Sequence, residues 1–429
     1  MDKLGFDEAR HLVSRTGFGP EWNSIQRLIG KPMPQAVDMI LKQRNSNPPG
    51  PPAMTHWSKL VGLRNNMSRR KMVMRISKTE GDALQKWWVK HLLTTQAPFV
   101  ERMTLFWHNV FPSTITKTLS ATLLHQQNLM LRKHALGNYR TLLHAVAKDP
   151  AMLVYLDGNQ NLKEEPNENF AREVLELFTV GRGKYNENDI REAAKAFTGW
   201  TINDRSGRFV NNASQHFTGP KTILGQTGNF NGDQALDIML KHPRTPERIA
   251  ERLWKEFISV SHPNPAIIKR WTQKFVHSNY DITTLLKTVL TCDAFWAASN
   301  RGALIKSPID LAVGTLRALP VTLPRNNLAH QLKLMGQPLF DQSTVKGWAT
   351  GEDWLSTQSL LLRDSLLRNL NRGNMRSAKS GMDRHLPKIS KEEMAAWLLP
   401  IPPSHPFPEK EGNKRLVRAL MLDPVYQVY

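Results

Sequence analysis

The densest group of ionisable side chains lies in residues 166–178, with the sequence PNENFAREVLELF. Asn169, Glu173 and Glu176 follow one another at i, i+4 and i+7, a spacing that places them on one face of a helix. Beside that face runs an apolar stripe formed by Phe170, Val174, Leu177 and Phe178. A carboxylate row at the edge of a buried face suits general acid/base catalysis on a glycosidic or ester bond. With Glu168 as a third oxygen donor, Glu173 and Glu176 are also a candidate ligand set for a divalent metal such as Mg, Ca or Mn.

The same charges have a purely structural explanation. Glu168 and Arg172 are four residues apart, as are Arg172 and Glu176, and ion pairs at this spacing stabilise a helix. If Arg172 orients the carboxylates it belongs to a site, whereas if it neutralises them the segment is an ordinary salt-bridged helix. Both interpretations stay open at this point.

Two further features carry candidate site residues. His108 and Asn109 end a predicted helix after an aromatic pair. The histidine there faces either a polar pocket or the last carbonyl groups of its own helix. Trp200 and Trp348 each follow a glycine, and tryptophans on loops either stack on sugars or fill the core, which is the more frequent case.

The elements that must position these residues are predominantly helical. Apolar residues recur at helical spacing, and this predicts helices at 8–14, 34–43, 82–95, 98–111, 121–136, 138–147, 166–181, 188–200, 232–240, 245–258, 264–278, 281–298, 306–318, 325–334, 354–370, 390–398 and 411–421. Residues 201–234 break the pattern with Gly, Asn, Thr and Ser, so we expect an irregular or small β insert there. The predicted fold class is mainly α. An N-terminal helical region (1–200) and a C-terminal one (235–429) pack as one unit around the insert.

The composition limits the kind of protein that this chain can be and the cellular compartment in which we expect it. The 429 residues carry a formal net charge of +21 and one cysteine, Cys292, which excludes an internal disulfide and a cysteine metal cage. The chain has no run of about 18 apolar residues, so we expect no transmembrane segment. The N-terminus lacks the apolar stretch of a signal peptide, so the default compartment is the cytoplasm.

Positive charge is concentrated in two runs, residues 64–78 and 363–388. Such runs attract polyanions, so an acidic polymer is a candidate partner. No zinc-finger spacing, aromatic RNA-binding strand or helix-turn-helix accompanies them, so nucleic acid is not favoured. The alternative is that both runs are solvated helix faces and loops.

The chain resembles, almost from end to end, a bacterial family of unknown function, domain of unknown function 1800. The resemblance rests on motifs that include ARHLVSRTGFG at 9–19, FWHN at 106–109, PNENFAREVLELF at 166–178, AFTGW at 196–200 and VKGW at 345–348. It implies bacterial origin and a sulfatase-like or phosphatase-like secreted protein encoded nearby. Work at the cell envelope then requires export with a signal-bearing partner. The chain departs from the usual pattern at Val110 and Phe217, where many relatives have histidine and aspartate, and this weakens a site built on His108 or His216.

Two hypotheses follow. The first is a hydrolase acting on an anionic or carbohydrate-containing envelope polymer. Its catalytic residues would be Glu173, Glu176, His108 and Arg172, and its substrate-binding residues would be Asn109, Asn169, Trp200 and Trp348. The alternative is a non-catalytic binding or assembly protein that docks an acidic partner through its basic surfaces. Burial distinguishes the two, because catalytic carboxylates line a pocket with raised pKa values and structural ones are paired with arginine.

Overall fold

A computed structural model describes residues 3–43, 48–63, 67–321, 328–376, 386–406 and 412–429. Within them the chain forms 22 α-helices and two small two-stranded sheets, which confirms the mainly α prediction. The helices are α1 (Phe6–Thr16), α2 (Trp22–Leu28), α3 (Met33–Leu41), α4 (Trp57–Gly62), α5 (Met67–Thr94), α6 (Pro98–Val110), α7 (Ile115–Thr118), α8 (Ala121–His134), α9 (Tyr139–Ala147), α10 (Pro150–Tyr155), α11 (Glu168–Glu173), α12 (Glu187–Ala196), α13 (Gly232–Lys241), α14 (Arg244–Phe257), α15 (Pro265–His277), α16 (Ile282–Leu290), α17 (Asp293–Trp296), α18 (Pro308–Ala318), α19 (Leu328–Leu334), α20 (Thr357–Arg376), α21 (Lys391–Leu398) and α22 (Asn413–Leu422). Among the described residues, no helix has the length and apolar character needed to cross a membrane.

Many helices begin where the sequence supplies a cap. The side chains of Ser120, Asn138 and Ser307 each accept a backbone N–H three residues later, which satisfies a donor that the first turn leaves free. Proline occupies the first turn of α6 and α18, where its missing N–H removes no helical hydrogen bond. These local signals explain why the predicted and observed starts agree closely at α6, α8 and α9.

The predicted insert consists of two antiparallel hairpins. β1 (Trp200–Ile202) pairs with β2 (Phe209–Asn211), and β3 (Lys221–Ile223) pairs with β4 (Gln226–Gly228). The helix predicted to reach Trp200 is too long, since α12 already ends at Ala196. Gly199 then takes a φ of 84°, and a Cβ there would collide with the carbonyl group of Asn212 on the hairpin. The close approach of the two backbones ends the helix and starts the strand.

Apolar periodicity does not predict α2, α4, α7 or α10. These helices contain only four to seven residues, which is too short for a helical period to repeat. The helix predicted over 281–298 is also divided, into α16 and α17. Tertiary packing therefore decides the short elements that local pattern leaves undetermined.

Helix α6 lies at the centre of the fold. Eleven of its thirteen residues are buried, so it is covered on all sides. It packs against α8, and the long α5 packs against α7, α8, α18 and α19. The two buried charged residues in the first half of α6 are each ion-paired, Glu101 with Arg132 and Arg102 with Asp310.

The last residues of the chain pack against its first helices. The indole nitrogen of Trp397 donates to the carbonyl group of Pro20 at 2.5 Å, although 377 residues separate them. The guanidinium of Arg15 in α1 lies 4.9 Å from the centre of the Tyr429 ring. These contacts close the core at the position where α1 would otherwise face solvent.

Candidate active site

The predicted carboxylate helix contains a π turn in its second half. Asn167 caps α11 by accepting a backbone N–H two residues later at 2.9 Å, and a π-helix (174–178) follows directly. In it the N–H of Thr179 donates to the carbonyl group of Val174, five residues back, at 3.0 Å. Such turns are rare and occur frequently at functional sites. Glu173 and Glu176 lie on either side of the change from α to π.

Three side chains from other helices hold the end of the π-helix. The carbonyl groups of residues 176–179 accept hydrogen bonds from Arg248 at 2.7 and 2.9 Å, from Arg252 at 3.0 Å and from the Tyr139 hydroxyl at 2.7 Å. The two guanidinium groups stand at the negative end of the helix dipole. Burial, followed by the charge of Arg248, lowers the pKa of Arg252 to about 10, which leaves it a cation at neutral pH. The backbone beneath Glu176 is thus fixed from outside its own segment.

The two central carboxylates occupy different environments. Glu176 has a side chain 13% exposed and accepts hydrogen bonds from the Tyr185 hydroxyl at 3.1 Å and from Nε of Arg182. Glu173 is half-buried, and its carboxylate has no hydrogen bond or ion pair within the described part of the chain. Burial and then the negative charge of Glu176 raise the pKa of Glu173 above its usual value. One carboxylate is therefore paired with a cation, while its neighbour is unpaired and has a raised pKa. Unequal environments of this kind are typical of carboxylates that act as an acid/base pair.

Cationic and phenolic groups surround Glu173. The positive charges of Arg172, Arg182 and Lys346 partly offset the rise in its pKa. The phenol of Tyr155 lies close enough that the charge of Glu173, after burial, helps to raise the Tyr155 pKa to about 12. Tyr155 is thus a neutral hydrogen-bond donor beside the unpaired acid, and the cations form a positive rim.

Asn109 positions the loop that carries Lys346. Its Oδ1 accepts the backbone N–H of Trp348 at 2.6 Å, and a Cβ on Gly347 would overlap Asn109. Gly347 also has a φ of 91°, which favours glycine. Trp348 is 7% exposed and donates its indole N–H to the carbonyl group of Pro338 at 2.9 Å. Both predicted substrate-binding residues are engaged in holding the backbone of this loop.

Asn169 contacts the turn that follows Tyr155. Its Nδ2 donates to the carbonyl group of Leu156 at 3.1 Å and to Asp157 at 3.2 Å, and Lys117 pairs with the same carboxylate at 2.9 Å. Asp157 has a φ of 57°, a conformation that is uncommon outside glycine and costs free energy unless its surroundings hold it. Asn169 is therefore a positioning residue for the turn next to the Tyr155 phenol.

Arg172 keeps one of the two partners that the spacing predicts, Glu168, and exchanges the other. It binds Glu168 at 3.1 Å and Glu187 at 2.8 Å, whereas Arg182 binds Glu176. The predicted pair between Arg172 and Glu176 does not form, because Glu187 draws the guanidinium towards α12. Glu168 is thereby neutralised, and the structure places it with Arg172 as a salt bridge on the outer side of the helix.

No three-ligand metal cluster of His, Cys, Asp or Glu occurs among the described residues. Of the predicted metal ligands, Glu168 is bound by Arg172 and Glu176 by Arg182. Glu173 alone offers an unpaired carboxylate. A divalent ion at this position would therefore take most of its ligands from water or substrate.

His108 and Trp200 lie in the core. Nε2 of His108 is 3.1 Å from Nδ2 of Asn128, and its ring packs 4.6 Å from that of Trp88. Burial, followed by the charge of Arg132, lowers the pKa of His108 to about 3, so the ring is neutral. Trp200 is 3% exposed inside a cluster of aromatic rings. The structure does not bring either residue into hydrogen-bond contact with the carboxylate pair.

Four groups of this site are absent from the predicted set, namely Tyr155, Arg182, Tyr185 and Lys346. Tyr185 stands in a polar run after the carboxylate segment, so its position in the sequence was a usable signal, whereas Tyr155 lies in the apolar run 150–156 and gave none. Lys346 offers no comparable signal, because it approaches Glu173 only through the tertiary fold.

Removing one neighbour or the other should move the pKa of Glu173 in opposite directions. Glu176→Gln removes a negative charge and is expected to lower that pKa, whereas Arg182→Gln removes a positive charge and is expected to raise it. The protonated carboxyl group can be measured by carbodiimide-driven amidation across pH, read by peptide mass spectrometry. Glu173 should lose reactivity at lower pH in Glu176→Gln, and at higher pH in Arg182→Gln, than in the wild type. Shifts of equal sign would contradict the described environment.

The profile of a family described as "Protein of unknown function (DUF1800)" matches residues 11–428. No curated protein and no solved structure gives a significant match. All residues of the candidate active site fall within the matched range. The family description gives no activity, so the chemistry of these residues is inferred from their geometry.

Proposed function

The chain belongs to the DUF1800 family of unknown function, and on that premise we propose that it is a hydrolase acting on an anionic or carbohydrate-containing envelope polymer. The observation that carries the proposal is the unequal carboxylate pair. Glu173 is unpaired with a raised pKa, and Glu176 is held by Arg182 and Tyr185. Two carboxylates held in different environments can take the acid and the base role in one reaction.

In this proposal Glu173 is the general acid. Its proton passes to the leaving-group oxygen as the glycosidic or ester bond breaks. Glu176, ion-paired with Arg182, acts as the base that takes a proton from water or as the charge that stabilises a developing cation. The Tyr155 phenol beside Glu173 can donate a hydrogen bond to the substrate without losing its own proton, since its pKa is about 12.

The positive rim supports an anionic substrate. Arg182 has a side chain 74% exposed, Arg172 has one 36% exposed, and Lys346 is also exposed. These cations stand around an acidic centre on a chain of net charge +21, which favours encounter with a polyanion. Because the cations are solvated, we expect them to attract the polymer and to leave the choice of bond to the carboxylates.

The test uses the purified full-length chain with a panel of acidic and neutral bacterial envelope polysaccharides, and it measures the release of new reducing ends and of acid. Glu173→Gln is expected to reduce the rate by about 10²- to 10⁴-fold, the usual contribution of general acid/base catalysis. Glu168→Gln is the matched control. It lies on the same helix, and its carboxylate is bound by Arg172, so its rate should stay within a few-fold of wild type.

Hydrolysis that survives Glu173→Gln, or that Glu168→Gln removes equally in a folded protein, would overturn the assignment. Absence of hydrolysis across the panel would favour the second candidate, a non-catalytic protein that docks an acidic partner. The observation behind this candidate is the first half of α5, where exposed cations stand beside exposed Met72 and Met74, both 53% exposed. The cations are Arg69, Arg70, Lys71, Arg75 and Lys78.

The second basic run contributes less to such a surface than its sequence suggests. Arg363 is fully buried, where it donates to the carbonyl group of Lys306 at 2.9 Å and to Gln427 at 3.2 Å. Arg368 is exposed, but it pairs with Asp364 at 2.6 Å. Arg64 and residues 377–385 lie outside the described part of the chain. The exposed face of α5 is therefore the better-defined basic surface.

A further inference from the structure

A cavity lies between α1, the start of α18 and the last residues of the chain. It encloses about 290 Å³ of atom-free space, including its opening. Its polar lining consists of Arg10, Ser14, Arg102, Lys306, Asp310 and Tyr429. None of these residues belongs to the candidate active site, so the cavity is a separate feature of the fold.

The lining has more positive than negative charge. Asp310 is engaged by Arg102 at 2.6 Å, and Glu256 approaches the same guanidinium from another side at 3.3 Å. Arg10 and Lys306 have no carboxylate partner among the described residues, and the Lys306 ammonium donates only to the carbonyl group of Tyr426 at 2.7 Å. Two buried cations therefore face the cavity with no carboxylate in direct contact, since Asp310 and Asp7 act on them only at longer range. Such burial is costly unless an anion compensates it.

The titration of both cations reflects that cost. Burial, followed by the charge of Arg10, lowers the pKa of Lys306 to about 7. Burial, followed by the charge of Arg301, lowers the pKa of Arg10 to about 10. An anion between Arg10 and Lys306 would relieve the repulsion and restore the charged forms.

Unsatisfied hydrogen-bond donors mark the same place. Ser14 is 5% exposed and lines the cavity, and its Oγ has no hydrogen-bond partner in the described chain. The next residue, Arg15, does not itself line the cavity, but it is fully buried with Nε and Nη1 unpaired, and its guanidinium stacks on the ring of Tyr429, which does. Buried polar groups are nearly always satisfied, so unpaired donors beside uncompensated cations indicate a missing acceptor.

We propose that this cavity is a binding site for a small tetrahedral oxyanion, phosphate or sulfate, held by Arg10, Lys306 and the Ser14 hydroxyl. The oxygens of such an ion accept several charge-assisted hydrogen bonds at once, which a chloride ion cannot do in the same geometry. The cavity has room only for a compact group, because its atom-free space of about 290 Å³ includes open solvent. Its occupant is accordingly a free ion or the terminal group of a monoester, and not a nucleotide or an oligosaccharide.

The experiment is calorimetric titration of the full-length protein with inorganic phosphate and with inorganic sulfate, against chloride at equal ionic strength. The wild type is expected to bind one oxyanion per chain. Arg10→Gln should weaken binding by about 10-fold or more, as for the loss of a hydrogen bond to a charged group. Ser14→Ala should weaken it by a few-fold, and the control Arg70→Gln, on the exposed face of α5, should leave it unchanged.

Thermal unfolding separates lost binding from lost folding. In buffer without oxyanions, Arg10→Gln should melt no lower than the wild type, because it removes an uncompensated buried charge. Phosphate should raise the melting temperature of the wild type and not that of Arg10→Gln. A wild type that shows no oxyanion binding, or variants that bind as well as the wild type, would overturn the proposal. A glycerol phosphate titration identifies the source: equal affinity indicates a monoester end group, and weaker affinity indicates the free ion.

Discussion

Glu101→Gln is expected to lower the free energy of unfolding by about 3–5 kcal/mol, because it breaks a buried ion pair and leaves Arg132 without its counter-charge. The Glu101 side chain is 2% exposed and accepts from Nε of Arg132 at 2.5 Å and from Nη2 at 3.0 Å. Trp88 donates to it at 3.0 Å, and His91 lies 3.1 Å away. An amide would replace one accepting oxygen by an NH₂ group that faces other donors. Urea unfolding monitored by circular dichroism measures the loss.

The pH dependence provides an independent check on this result. Burial opposes the charge of Glu101, but hydrogen bonds from His91 and Arg132 outweigh it and lower its pKa from 4.5 to about 2. A carboxylate with a depressed folded pKa contributes stability above its unfolded pKa and loses it as the pH falls through the folded value. The stability difference between wild type and Glu101→Gln should therefore be full above about pH 5 and shrink towards pH 2.

A surface pair supplies the control for Glu101→Gln. Asp364 binds Arg368 at 2.6 Å, and both side chains are more than 40% exposed. Asp364→Asn should change the unfolding free energy by no more than about 0.5 kcal/mol. If the two variants lost similar stability, the buried Glu101–Arg132 pair would stabilise the fold no more than the surface pair does. Combining Glu101→Gln with Arg132→Met should recover part of the loss, since no unpaired charge then remains.

Gly314→Ala is the second large effect that we expect, with a loss of about 1–3 kcal/mol or more. Gly314 lies inside α18, where the carbonyl group of Phe18 and the Cα of Gly19 pass directly over it. A Cβ at Gly314 would overlap that carbonyl oxygen, and both contacts are backbone, so no side-chain rotation relieves the overlap. The loop 17–19 would have to move away from α18. Thermal unfolding of the variant measures the result.

The substitution of alanine for Gly62 should not lower the free energy of unfolding. Gly62 is the last residue of α4, and no described atom lies within 4 Å of a Cβ built there. Alanine favours the helix over glycine by up to about 1 kcal/mol, so Gly62→Ala should be neutral or mildly stabilising. A neutral Gly314→Ala would show that α18 and the loop do not pack backbone against backbone.

Local chemistry predicts the position of most long helices, but it finds only the second half of α5, and it predicts helix irregularities poorly. Asn138 and Ser307 as caps, and Pro98 in a first turn, are readable because each acts on its own backbone within three residues. The π turn after Glu173 is not readable in this way. Its carbonyl groups are satisfied by Arg248 and other residues distant in sequence, so the hydrogen-bond pattern depends on tertiary partners.

The residues of the candidate site also fall into two groups, those that local spacing predicts and those that only the tertiary fold determines. Glu173 and Glu176 were identifiable because helical spacing places them beside an apolar stripe, and Asn169 belongs to the same row. The partner of Glu176 was predicted as Arg172 because i to i+4 spacing is the only rule that sequence offers, whereas Arg182 holds it through the following turn. His108 is of the residue type that catalysis uses, but only its burial shows it to be a core histidine.

The packing of the last residues on the first helices has a consequence for synthesis. Pro20 receives the indole N–H of Trp397, and Arg15 receives the ring of Tyr429, only after residues 397 and 429 have been synthesised. A ribosome adds roughly 5–20 residues per second, so α1 waits roughly 20–80 seconds for these partners. During that interval the nascent chain presents an uncovered apolar and cationic face to chaperones. Closure of the fold therefore waits until residue 429 has been synthesised.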